Sequence, residues 1–240
     1  MILFLFGGLV LVVILGAALI HESRPSGQAG PEADALARRM EAAVRLSDWE
    51  KVGYIEWTFA DRNRHAWDRV RGLARVTWKD REIFIRLDTH QARTFRAGQE
   101  VLGKASDELS EEAIRRFTND SFWLNPVAKL FEPGTTRAIV PDSDGQPTLL
   151  ITYTEGGVTP GDAYQWFLGP DDLPQKWRMW ASILPLGGIP ATWDDYLRLE
   201  TGALIATRHV IGPFSLDLTN IKAARSWETI HPKDPFERIR

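Results

Sequence analysis

The chain has 240 residues, 25% of them charged, and a net charge of -3, a balance unlike that of a general nucleic-acid binder, which is ordinarily basic. It holds no cysteine, which excludes disulfides, thiolate zinc sites, iron–sulfur clusters, thiol nucleophiles and lipidation on cysteine. Ten tryptophans are an unusually rich supply, enough to fill the core of a large curved sheet or to line an apolar cavity.

The first element is apolar without a break from Ile2 to Ile20. As a helix it would measure about 28 Å, close to the hydrocarbon thickness of a bilayer. Residues 1–21 are therefore expected to be a transmembrane anchor or an export signal. The length favours retention, while Gly16-Ala17-Ala18 and Gly27-Gln28-Ala29 both offer small residues for cleavage. No Lys or Arg precedes the stretch and Arg24, Arg38 and Arg39 follow it, which by the positive-inside rule favours a cytoplasmic domain. The membrane is the first expected partner.

Residues 22–31 carry Ser, Pro, Gly and Gln and read as a flexible tether. Pro31 then opens a helix, with Leu36, Met40, Ala43 and Val44 at three- and four-residue steps. From Lys51 the period changes to two. Ile55, Trp57 and Phe59 share one face, then come His65–Asp68, Leu73–Trp78, and Glu82–Leu87 with Ile83, Ile85 and Leu87 on one side, and a short hairpin through Gly98. Such strands joined by short polar turns indicate an antiparallel meander.

A helical interruption follows, with Leu109, Ala113 and Phe117 on one face, and then a separate short apolar element from Phe122 to Phe131. Strands resume over Thr136–Val140, Thr148–Thr154, Ala163–Leu168, Gln175–Ser182, Thr192–Glu200, Ala203–Ile211 and Phe214–Ala223, with Thr201-Gly202 as a tight hairpin turn. No long linker and no repeat divides residues 32–240, so they are expected to form a single domain.

Residue chemistry points away from catalysis. His21, His65, His90, His209 and His231 fit no metal-ligand spacing, and no nucleophile elbow surrounds any serine. The carboxylate pairs Asp171-Asp172 and Asp194-Asp195 are adjacent, so on a strand their side chains diverge. No cofactor, metal or enzymatic activity is expected; a hydrolase would need a site dispersed along the chain and assembled by the fold.

The order of elements, together with Ile55-Glu56-Trp57-Thr58-Phe59, His65-Ala66-Trp67-Asp68, Phe122-Trp123-Leu124-Asn125-Pro126, Gly161-Asp162-Ala163-Tyr164 and Trp177-Arg178-Met179-Trp180, resembles the periplasmic lipoprotein-carrier (LolA/LolB-like) superfamily. The likeness is nearest to an uncharacterised group of exported bacterial proteins and spans most of residues 32–225. It implies a half-barrel lidded by helices, a cavity that accepts acyl chains, and a periplasmic domain. That address opposes the charge rule, and the periplasmic side is preferred. The long apolar N-terminus and the missing lipid-bearing cysteine depart from the carriers themselves.

The expected fold is thus mainly β with α, one large curved antiparallel sheet left unclosed and covered by a few helices. Its greasy inner wall should hold a lipid, acyl chain or other hydrophobic ligand between Trp57, Phe59, Ile85, Trp123, Leu130, Trp166, Trp177, Trp193 and Leu197. The alternative is a membrane-tethered module that recognises a protein partner, with a filled core and an exposed apolar patch.

Overall fold

A computed structural model of the chain describes residues 21–155 and 160–239. Two helices, α1 (Pro31–Ala43) and α2 (Leu46–Trp49), precede six strands: β1 (Tyr54–Phe59), β2 (Asn63–Asp68), β3 (Leu73–Trp78), β4 (Arg81–Arg86), β5 (Ala92–Arg96) and β6 (Gln99–Val101). Helix α3 (Lys104–Leu124) and a 3-10 turn, Pro126–Lys129, lead to β7 (Thr135–Pro141), β8 (Pro147–Tyr153), β9 (Ala163–Leu168), β10 (Pro174–Trp180) and β11 (Ile189–Thr192). The last strands are β12 (Asp194–Arg198), β13 (Leu204–Ile211) and β14 (Phe214–Ala224).

The strands form two antiparallel sheets where one was expected. Nine strands run in the order β12-β13-β14-β1-β2-β3-β4-β5-β6, and five in the order β11-β10-β9-β8-β7. The expected single strand Thr192–Glu200 is split at Trp193, so that β11 pairs with β10 while β12 pairs with β13. At this seam the Trp193 N–H donates to the Gln175 carbonyl and the Val210 N–H to the Thr192 hydroxyl. One strand path thus belongs to both sheets. Neither sheet closes into a barrel, and α3 with the turn after it bridges from edge strand β6 to edge strand β7.

Curvature has local causes. Between Glu56 and Thr58 the β1–β14 register slips by one residue. Asn220 on β14 takes a left-handed φ of 54° there, which Asn tolerates better than most residues. Its side-chain amide donates to the Thr58 hydroxyl at 3.2 Å. A similar slip falls between Pro174 and Lys176 in the β9–β10 pair.

One apolar core draws on the inner faces of both sheets and on α1 and α3. Helix α3 is continuous through Leu124, not two elements as its sequence suggests, because its buried residues Leu109, Ala113, Phe117, Asp120 and Leu124 hold a three-to-four spacing throughout. A second cluster lies on the other face of the large sheet, where Phe236 and Ile239 cover Tyr54, Ala66, Leu73, Phe84 and Phe95. Arg71 clamps this segment, donating to both carboxylate oxygens of Asp234 at 2.8 and 2.9 Å and to Asp68 at 2.7 Å.

The segment before α1 is not free. The Glu22 N–H donates to the Gly187 carbonyl at 3.0 Å, and the Trp180 indole donates to the Glu22 carbonyl at 2.7 Å. Farther on, Gln28 exchanges two 2.9 Å backbone hydrogen bonds with Ile139. Residues 22–28 therefore lie across the five-stranded sheet and cap the exposed edge of β7. Among the described residues no helix is long and apolar enough to cross a membrane. The expected span Ile2–Ile20 lies outside the described residues.

The β12–β13 turn depends on Gly202, whose φ of 102° is open to glycine and strained for other residues. A Cβ there would stand 3.0 Å from both Arg45 Nη2 and Asp48 Oδ2. Gly202→Ala is expected to lower the unfolding free energy by about 1–2 kcal/mol. Urea unfolding checks this, and an unchanged midpoint would mean the turn relaxes freely.

Candidate functional site

Eight of the nine residues expected to line a ligand cavity are buried in the main core: Trp57, Phe59, Ile85, Trp123, Leu130, Trp166, Trp177 and Trp193. Four of them form an aromatic block. Trp177 lies 4.7 Å from Trp166, 4.8 Å from Trp123 and 4.9 Å from Trp193 between ring centroids. The indole N–H groups of Trp57, Trp166, Trp177 and Trp193 are buried with no hydrogen-bond partner among the described residues. Leu197 stands apart, 40% exposed, because β12 is an edge strand and nothing covers it there. Trp57 borders a hollow on the far side of the large sheet and Leu197 a shallow groove beside β14, but none of the nine reaches the main cleft.

That cleft measures about 600 Å³. It opens between α3 with the segment after it on one side, and the β2–β3 and β4–β5 turns and the β8–β9 ends on the other. It lies against α3 and the segment after it and away from the inner sheet wall, whose aromatic residues are packed into the core. Helix α3 presents a second stripe there, Ile114, Thr118, Ser121 and Phe122, rotated about 100° from the stripe that packs on the sheet. The other walls carry Trp49 and Trp67 near one end, and Tyr153 and Tyr164 from the five-stranded sheet. Phe122 sits 5.6 Å from Tyr153 and 5.1 Å from Tyr164, and Trp67 meets Phe117 edge-on at 5.4 Å. Desolvation pushes both tyrosine hydroxyls far above their ordinary range, so they stay protonated donors. The Tyr164 hydroxyl faces Asp162 at 3.4 Å, whereas the buried Tyr153 hydroxyl has no partner among the described residues.

Polar residues punctuate this lining. Lys129 donates to both carboxylate oxygens of Glu132 at 3.0 and 3.2 Å, so the two neutralise each other. Arg69 Nη1 donates to the carbonyls of Trp49 and Val52 at 2.6 and 2.7 Å, and its guanidinium lies 4.6 Å from the Trp49 ring and 5.3 Å from the Trp67 ring. Glu155 and Asp162 supply acid on the opposite wall.

Two histidines that the sequence leaves solitary acquire partners. Asp120, buried on α3, accepts from Asn63 Nδ2 at 2.8 Å and stands 2.7 Å from His65 Nε2. Arg116 donates to Asn63 Oδ1 at 2.9 Å and extends the network. The His65 ring stacks on Trp57 at 4.6 Å, and its Nδ1 is buried without a partner among the described residues. Among the described residues no hydroxyl is hydrogen bonded to this His–Asp pair, which is buried under α3. His209 is wholly buried against Trp193, with Nδ1 3.0 Å from the Thr192 carbonyl at the seam between the sheets. Burial holds its pKa down at about 4, so the ring is neutral at pH 7 and Nδ1 donates to that carbonyl.

The outer hollow, about 610 Å³, is lined chiefly by charged side chains. Glu56 and Glu82 flank Arg75 at 3.7 and 4.0 Å and offset its charge.

No protein-family model and no curated protein matches the chain. Among solved structures, a DUF1329 family protein from Desulfovibrio piger aligns with 80% of this chain and 92% of its own, at a TM-score of 0.42 and 12% identity, a likeness too distant to carry an argument.

Proposed function

We propose that this domain binds a hydrophobic or amphipathic ligand, such as one acyl chain, in the cleft between α3 and the two sheets, and that it does so at a membrane to which the apolar N-terminal segment tethers it on the periplasmic side. The cleft carries this reading. Its volume of about 600 Å³ lies within the roughly 300–1,000 Å³ of ordinary ligand pockets, and aromatic rings from both sheets, α2 and α3 contribute to its walls. Polar and charged side chains make up half of the lining, which suits an amphiphile better than a pure hydrocarbon.

The path of the chain supports the tether. His21 and Glu22 are hydrogen bonded to Gly187, in the β10–β11 loop. The same loop meets the cleft, since the Ser182 N–H donates to Asp162 at 2.8 Å. Ile183 in that loop is 71% exposed. A chain entering from a bilayer at residue 21 would bring this margin of the cleft near the lipid surface. The alternative reading as a protein-interaction module would draw on the exposed large apolar side chains, which among the described residues are Val70, Leu102, Ile183, Leu197 and Phe214.

Filling the cleft tests the reading. Ile114 is half-buried, lines the cleft and packs only on the margin of the main core, outside the buried stripe of α3. In Ile114→Trp, binding of a fluorescent fatty acid to the full-length chain is expected to weaken about tenfold or more, with little change in thermal stability. Unchanged affinity, or no binding by the parent protein, would remove the cleft as the ligand site.

A further inference from the structure

Among the described residues, Arg69 is the cation of the cleft that has no ion-pair partner, and this asymmetry bears on the class of ligand. Arg69 is half-buried in the wall formed by the large sheet. Its Nη1 is used by two backbone carbonyls, which accept hydrogen bonds but carry no full negative charge. Its Nε and Nη2 make no hydrogen bond among the described residues. Glu50 acts on it only from beyond ion-pair distance, and loss of hydration disfavours its charge. The other cation of the cleft, Lys129, is already paired with Glu132, and the remaining acids, Glu155 and Asp162, belong to the opposite wall. Trp49 and Trp67 flank the guanidinium and hold it in place by cation–π contact. A partly desolvated arginine with free N–H groups, fixed between two rings, is a preformed site for a planar or tetrahedral oxyanion.

We infer that the cleft selects amphiphiles with an anionic head, a carboxylate or a phosphate monoester, whose oxygens pair with Arg69 while the apolar chain runs along Ile114, Phe117 and Phe122. This deepens the proposed function and rests on the cleft being the ligand site. The exposed Glu155 on the opposite wall sets the orientation, because it would repel an anionic head placed beside it. The head therefore belongs at the Trp49–Trp67 end.

The test compares palmitate, hexadecyl phosphate and hexadecanol, which share a chain and differ in the head. Each is titrated against the full-length protein in amphipol, with quenching of tryptophan fluorescence by a competing spin-labelled fatty acid as the readout. The parent protein is expected to hold the two anions about tenfold more tightly than the alcohol. Arg69→Gln should bring the affinities for the two anions down to that for hexadecanol, and the hexadecanol binding it retains shows that the variant is folded. Arg69→Lys should keep much of the preference for anions. Tighter binding of the phosphate than of palmitate supports the site with a phospholipid-derived ligand, and the reverse order supports it with a free fatty acid. Equal affinity for acid and alcohol, or a preference that survives Arg69→Gln, overturns the head-group assignment while leaving the cleft as an apolar site. Binding of none of the three overturns the cleft reading, and this assignment with it.

Discussion

Asp120→Ala is expected to reduce the unfolding free energy by about 3–5 kcal/mol, the cost of stripping two buried polar groups of their shared partner. The reason lies in what the carboxylate leaves behind. Asn63 Nδ2 and His65 Nε2 both turn to it at 2.8 and 2.7 Å, beneath a helix that excludes water. Alanine leaves both without a partner and opens a void under α3, and each unmet buried group costs about 1–3 kcal/mol. Asp120→Asn keeps one acceptor oxygen in nearly the same volume, so its loss should be nearer 1–2 kcal/mol. For a chain of this size the alanine variant should melt roughly 10 °C lower. Calorimetry and urea unfolding of both variants check the order. A loss under about 1 kcal/mol for alanine would mean that the network is not what fastens α3 to the large sheet.

That network also marks where the sequence stops being informative. The period of two in Ile55-Glu56-Trp57-Thr58-Phe59 and in Glu82–Leu87 is enforced by burial of one face, so these strands are legible one at a time. Helix α1 and the start of α3 are legible for the same reason at a period of 3.6. The division into two sheets is not. It turns on Trp193, which lies in an unbroken β-like run and whose backbone happens to bond to β10 while its neighbours bond to β13. No local pattern encodes which edge a strand joins.

The site divides along the same line. Tryptophan-rich strand faces and the apolar insertion signal burial, and eight of the nine residues chosen from them are buried, but burial in a packed core differs from facing a cavity. The cleft is lined by residues beside the strongest stripes: Ile114 and Thr118 next to Ala113 and Phe117 on α3, and Trp67 and Arg69 at the end of β2. The second stripe on α3 was visible as half-apolar spacing, Ile114, Thr118, Ser121 and Phe122, and could have been read as a face meeting something other than solvent. Arg69 and His65 carry no such local mark. Their significance depends on Trp49 and Asp120, which lie 20 and 55 residues away along the chain.

His209 makes acid a probe of the seam between the sheets. In the unfolded chain its imidazole takes up a proton below about pH 6.5. In the folded protein it does so only near pH 4, because burial against Trp193 and Trp123 outweighs the help of the Thr192 carbonyl and of Asp194 and Asp217. A histidine with a depressed folded pKa works against the folded state as pH falls. Between pH 6.5 and 4 the unfolded chain binds the extra proton, so stability climbs with rising pH through this window and is level, for this group, above it. At about 1.4 kcal/mol per pH unit the loss on acidification from pH 7 to 4 is on the order of 3 kcal/mol. His209→Gln cannot take up this proton. Whatever it costs at pH 7, that cost should shrink by the same 3 kcal/mol or so at pH 4, and the difference between the two stability curves isolates His209 from every carboxylate that titrates in the same range. Urea unfolding of both proteins at half-unit pH steps provides the curves. Parallel curves would show that the imidazole is already charged in the fold, or hydrated enough to titrate normally, and that burial at the seam does not depress its pKa.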